Sequence, residues 1–240
     1  TSNVMAKVSG ITKTNNSVYR DNHGSGHCAK MTTHIETCKV LGLINIKVLA
    51  AGSIFLGDMK EPITGTKDGP KALNFGIPFT LRPKALRYDY KVQVPGTPHR
   101  IRQTGFSKVT TVPGADYCIA MLLLQKRHED ANGNITAQRV GTVVVKYGKS
   151  TGGWVEDATY EIHYGNITGK SFYNAATMGL RSHDYARNSK GKSVLVKETG
   201  WASADATPTH IVLQFSSSHG GAYVGTVGNT FWVDNVGLVY

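Results

Sequence analysis

The apolar positions of this chain recur at every second residue. From Leu86 the even positions Leu86, Tyr88, Tyr90, Val92 and Val94 are apolar, while Arg87, Asp89, Lys91 and Gln93 between them are polar. A period of two describes a strand with one buried face and one wet face. Tyr160, Ile162 and Tyr164 alternate in the same way with Glu161 and His163, as do Ile211, Leu213 and Phe215 with His210 and Gln214. Tyr117–Leu124, Val143–Val145 and parts of Val40–Phe55 are apolar on both faces, which predicts central strands buried between layers. Turn signals separate these stretches: Asp68-Gly-Pro, Val94-Pro-Gly, Val112-Pro-Gly, Asn132-Gly-Asn and Gly220-Gly. The pattern predicts an all-β chain of roughly nine to twelve strands in a sandwich or barrel. One short helix is allowed around Ala175–Arg187, a segment that reads equally well as a loop.

With 240 residues, 40% of them hydrophobic, the chain can bury a large core. No run reaches the ~18 apolar residues of a membrane helix. The longest candidate, Val40 to Leu56, is broken by Gly42, Asn45, Lys47, Gly52 and Ser53. The chain opens Thr-Ser-Asn without an initiator Met and without a signal segment, which fits a processed precursor and says nothing against export. The chain shows no internal repeat and no low-complexity linker; residues 1–15 are polar and read as a lead-in from an upstream part, and residues 16–240 read as one domain. Cys28, Cys38 and Cys118 lack metal spacing and allow at most one disulfide within the chain. Cys118 adjoins an apolar run and reads as a buried thiol.

The net charge of +11 favours acidic partners such as sulfated or uronic-acid glycans, or else serves solubility alone. Its modest clusters, at 82–87, 99–102 and 187–192, form no basic tail. Aromatics are not interleaved with them as in nucleic-acid modules, so no nucleic-acid partner is expected.

Several blocks in order carry a family resemblance. These are Asn16-Ser-Val-Tyr-Arg-Asp21, Cys28 to Glu36, Ile46 to Gly57, Phe75-Gly-Ile-Pro-Phe-Thr-Leu-Arg-Pro83, Ala85 to Lys91, Ser216-Ser-Ser-His-Gly220 and Phe231-Trp-Val-Asp-Asn-Val236. Together they resemble the putative carbohydrate metabolism domain, found mainly in exported glycan-utilisation proteins of Bacteroidetes. The resemblance implies a β-sandwich jelly roll, a polysaccharide or oligosaccharide partner, and a periplasmic or outer-membrane surface location. Two departures weaken any inherited acid catalysis or metal binding at the closing edge. Gly237 and Gly221-Ala222 stand where the family commonly carries acids.

Glycan sites combine aromatic faces with a few placed polar groups. The aromatic candidates are Trp154, Trp201, Trp232, Tyr88, Tyr90, Tyr160, Tyr164 and Tyr223. Tyr88 and Tyr90 lie on a core-facing side. Trp154 and Trp201 adjoin glycines and are expected to reach a loop surface. Of Phe231 and Trp232, one must face the core and the other outward. Arg87 and Asp89 on one strand, with Glu161 and His163 on another, form a charged groove if those strands are neighbours. Asp234, with Asp21 near the other terminus, is the candidate for a structural calcium, a hard cation that takes oxygen ligands. His23-Gly-Ser-Gly-His27 has ligand-like spacing but is a loop with no evident third ligand. Gly165-Asn-Ile-Thr-Gly-Lys-Ser171 is one residue short of a phosphate loop.

The expected function is non-catalytic glycan binding. The alternatives are a glycoside hydrolase or lyase acting in the same groove, and a structural or adhesive module. A hydrolase needs two carboxylates across a cleft, and nothing in the sequence pairs any two of its acids.

Overall fold

The computed structural model describes residues 3–8, 11–40, 44–60, 69–105 and 108–240, with side chains described from residue 16 onward except at 38–45 and 70. Two antiparallel-dominated sheets face each other. The front sheet runs in the order Val155–Glu161, Ala85–Gln93, Thr230–Val239, Gly26–Val40, Val18–His23, with Ile44–Ala51 continuing from Gly26–Val40. The back sheet runs Asp184–Arg187, Ser193–Trp201, Ile135–Tyr147, Cys118–Glu129, His210–Ser216, Ser53–Phe55. Within it, Ser193–Trp201 alone pairs in parallel, against Ile135–Tyr147.

The period-two reading holds in three dimensions. Leu86, Tyr88, Val92, Phe231 and Val233 of the front sheet meet Ala120, Leu122, Leu124, Ile211 and Phe215 of the back sheet in one core. Tyr88 is fully buried and joins a hydroxyl chain that runs through Tyr147 to Tyr160. Phe231 lies in this core, and its neighbour Trp232 faces the other way. Cys118 is a free, fully buried thiol. Burial pushes its pKa far up, so it is inert. Cys28 is also free and buried; the side chain of Cys38 lies outside the described residues.

The back sheet is buried on both faces, as the continuous apolar run predicts. Met121 and Leu123, which alternate with core residues, pack outward against Phe75 and Val212, with Phe55, Leu73 and Val144 around them. The ribbon Gly57–Met59 with Leu73–Phe75 supplies part of that cover. A third small sheet, Thr110–Pro113, His99–Arg102 and Val224–Gly225, closes one end.

Several expectations change. Among the described residues there are 21 strands, because long strands are accompanied by two- and three-residue edge pieces. The helix shrinks to one turn, Ala175–Met178, capped by the Asn174 side chain on the Ala176 amide. The 160–164 run is not one strand: Val155–Glu161 ends in the front sheet, and His163–Tyr164 pairs with Ile135–Tyr147 in the back sheet. Ile162, 2% exposed, marks the crossover through the core. Asn3–Val8 pairs with Ile11–Asn16 in a two-stranded ribbon, largely within the segment 1–15 that the sequence reads as a lead-in.

Candidate functional site

The outer face of the back sheet holds a cavity of about 670 Å³, within the ~300–1,000 Å³ range of small-ligand sites. Strand register builds its floor. Met121 lies opposite Gln214, and Gln214 opposite Phe55; one step along, Ile119 lies opposite Ser216, and Ser216 opposite Ser53. The alternation that sends Leu213 and Phe215 into the core turns Gln214 and Ser216 outward to this floor. Met59, Leu73 and Phe75 form one wall, and Arg181–Tyr185 with Leu195 form the other. Ser218, His219, Ala222 and Tyr223 close the end.

Asp116 fixes that end. Its Oδ1 accepts from the Tyr117 amide at 2.9 Å and from His219 Nδ1 at 2.7 Å. Its Oδ2 accepts from Ser218 Oγ at 2.7 Å and from the Thr226 amide at 2.8 Å. Burial alone would raise this carboxyl, but the donors from His219, Ser218 and Thr226 outweigh it and hold the pKa below the usual range. His219 Nε2 faces Arg100 at 3.3 Å and so accepts, which assigns the ring a proton on Nδ1. Ser218 donates to Asp116, not to His219, so this Ser, His and Asp are no nucleophilic triad. A Cβ at Gly225 would lie 2.7 Å from Ser218 Oγ, which explains a glycine there. Tyr223 adopts φ 64°, a left-handed conformation that a bulky residue keeps only under constraint.

The opposite wall hangs on a buried ion pair. Arg139 and Glu198 are fully buried and bonded to each other. Glu198 also accepts from Gln125 Nε2 and from the Arg181 amide, each at 2.7 Å. Arg181 in turn grips Asp184 with two bonds, at 2.5 and 2.7 Å. Burial would raise Asp184, yet the Arg181 guanidinium holds its pKa low. Asp184 is the one carboxylate lining the cavity among the described residues.

The residues singled out in the sequence do not line this cavity, apart from Tyr223. Trp201 packs edge-on to Tyr173, with the Arg139 guanidinium 5.5 Å from its centroid. His163 stacks on Phe172, centroids 4.2 Å apart, in the back sheet. Glu161 remains on the front sheet opposite Ala85, so the proposed groove of Arg87, Asp89, Glu161 and His163 is split between two sheets. The 85–93 and 155–161 strands are neighbours as that groove required, but His163 has crossed over.

Trp154, Arg87, Asp89, Asp21 and Asp234 all belong to the outer face of the front sheet. Trp154 is half-buried and stacks on His23, centroids 3.7 Å apart. Trp232 lies between Lys91 and Lys30, which approach its centroid to 4.3 and 5.3 Å, and donates to Asp21 at 2.8 Å. That bond first, then the Asn22 amide and Lys30, lowers the Asp21 pKa to about 2. Asp234 accepts from His23 Nδ1 at 2.8 Å. Arg87 lies 3.7 Å from Asp157. Asp89 is 4% exposed, not on a wet face as the alternation suggested. The reason is a bulge on each side of it: the register shifts against both neighbouring strands at this point. Asp157 and Asn235, at φ 51° and 48°, fold over it, and the Asp157 amide and Asn235 Nδ2 each donate to it at 2.6 Å.

The protein is thus a two-layer β-sandwich with a walled cavity on one outer face, an architecture that lectin domains share with viral capsid proteins and cupins. The family model described as "putative carbohydrate metabolism domain" matches residues 1–239, and the chain belongs to that family. A solved structure described as a putative glycoside hydrolase from Bacteroides thetaiotaomicron is similar over 93% of this chain, with a TM-score of 0.53 and 18% identity. The chain spans 57% of that structure's length. No curated protein matches.

Proposed function

We propose that the chain recognises a glycan without cleaving it, and that the sugar enters the cavity on the back sheet. The observation that carries this reading is the composition of the cavity. Phe55, Phe75, Tyr185 and Tyr223 offer faces for sugar C–H surfaces, and Gln214, Ser216, His183 and His219 offer groups for hydroxyls. A hydrolase would need a second carboxylate across the cavity and one acid raised in pKa. Among the described residues Asp184 has no such partner on the lining, and its charge is already matched by Arg181. Family membership supports a carbohydrate context, as does a structural neighbour described as a glycoside hydrolase. In this reading the chain belongs to an exported or surface-anchored glycan-utilisation protein and holds polysaccharide near partner enzymes.

The test is a glycan array with neutral, sulfated and uronic-acid oligosaccharides, read at low and high salt, beside product analysis of the same mixtures. Selective binding that persists in salt, with no new reducing ends, supports the proposal. Released product that disappears in Asp184→Asn would replace it with a hydrolase. Binding to every acidic glycan that vanishes in salt would replace it with a charge-driven adhesive role.

A further inference from the structure

On the front sheet, away from the cavity, three side chains of metal-binding type converge. One ligand atom each from His23, Asp89 and Glu156 lies within 4.8 Å of the other two. We propose that these three residues bind one divalent transition-metal cation, with Asp234 positioning the imidazole.

The chemistry of the set points to a cation of the zinc class. An imidazole nitrogen with two carboxylates suits zinc and its neighbours, whereas calcium takes six to eight oxygens. Asp234 receives the Nδ1 proton of His23 at 2.8 Å, which turns Nε2 toward Glu156. This carboxylate–histidine pairing is how proteins fix the tautomer and plane of a metal-ligating histidine. The Trp154 ring, stacked on His23 at 20° between planes, restrains the same plane. His23 Nε2 and Glu156 Oε1 are 3.1 Å apart, close to the ~3.3 Å edge of a tetrahedron with zinc–ligand bonds of ~2.0–2.1 Å. Glu156 is 56% exposed at its side chain, so it can adjust and the cluster is reachable from solvent.

Charge supplies a separate argument. Asp89 is 4% exposed; the Asp157 amide and Asn235 Nδ2 donate to it, and its titratable neighbours are the other two members of the cluster, the His23 imidazole and the Glu156 carboxyl. Among the described residues no Lys or Arg forms an ion pair with it. A buried carboxylate is ordinarily paired with a cation or bound to a metal. Glu156 brings a second negative charge to the same point. On binding, the cation takes Nε2 and any proton there leaves to solvent, while the Nδ1 bond to Asp234 is kept.

The experiment is calorimetric titration of the whole chain, stripped with chelator, using zinc chloride at pH 7.5. Manganese and calcium chlorides are run in parallel. One equivalent of zinc, bound at micromolar Kd or tighter and in preference to calcium, is expected. Glu156→Gln, on an exposed side chain, and His23→Gln should each weaken binding by at least about tenfold. Asp234→Asn should weaken it by about 10–100-fold, as loss of an outer partner does. His27→Ala is the control and should bind as the parent does. Zinc binding that survives His23→Gln in a folded variant, a preference for calcium, or no stoichiometric heat would each overturn the proposal. The glycan array is independent of these outcomes.

Discussion

His219 lies flat on Tyr117, ring centroids 3.5 Å apart and planes within 3° of parallel. Asp116 stands behind both, bonded to the backbone of one and the ring of the other. The end wall of the cavity is thus an assembly around one carboxylate. Asp116→Ala leaves the Ser218 hydroxyl and the amides of Thr226 and Tyr117 without their acceptor in a buried place. The expected loss is about 2–4 kcal/mol, read as a lower urea midpoint with an unchanged slope. His219→Ala keeps those bonds and should cost less stability while weakening glycan binding.

The Arg139–Glu198 pair carries the opposite wall. Glu198→Gln removes the charge that matches a fully buried guanidinium, and a loss of about 3–5 kcal/mol is expected. Replacing both partners together, Arg139→Met with Glu198→Leu, removes the buried charges along with each other and should recover most of that loss. Denaturant unfolding of the two single variants and the pair checks the coupling. A double variant less stable than either single one would contradict the account.

The two left-handed residues over Asp89 give a sharper comparison. Asn235→Gly loses the bond to Asp89 but accepts φ 48° freely. Asn235→Ala loses the same bond and adds left-handed strain. Alanine should therefore be worse than glycine by about 1 kcal/mol, measured by thermal or urea unfolding.

His210 sets a pH dependence. Burial, then the nearby Arg127, lowers its pKa from 6.5 to about 4. The folded state prefers the neutral ring, while the unfolded chain takes up a proton below pH 6.5. Stability from this site is complete above pH 6.5 and declines as pH falls toward 4. The size is on the order of 2 kcal/mol, after discounting for the partial exposure of the ring. Urea midpoints at pH 7.0, 5.5 and 4.5 should fall more steeply in the parent than in His210→Gln.

Local periodicity made the strands legible. Leu86 through Val92 and Ile211 through Phe215 face as their alternation says, Asp89 apart, because burial on one side leaves a trace in every second residue; Cys118 through Leu124, apolar throughout, packs on both faces as that run says. The cavity left a weaker trace. Gln214 reads as a polar position on an alternating strand, but nothing local says that Met121 and Phe55 will flank it, since register across three strands decides that. The Ser216-Ser-Ser-His-Gly220 turn was visible as a family block, though not as the end wall of a site. The expectation that Trp154 and Trp201 reach a loop surface named no partners: Trp201 sits against Arg139, and Trp154 carries His23 on its ring. His23 was visible by its spacing to His27. Its actual companions, Asp89, Glu156 and Asp234, come from distant strands that only the sheet order brings together.

The central claim is that sugar binds in the back-sheet cavity. Its most direct test is calorimetric titration of an array-selected oligosaccharide into three proteins: the parent, Ala222→Trp and Trp154→Ala. Ala222 is exposed and lines the cavity, so an indole there fills the space without breaking the Asp116 or Glu198 networks. The account predicts that Ala222→Trp abolishes binding in a protein of parental stability and that Trp154→Ala binds as the parent does. The opposite result, binding kept in Ala222→Trp and lost in Trp154→Ala, would contradict it and move the sugar to the front sheet.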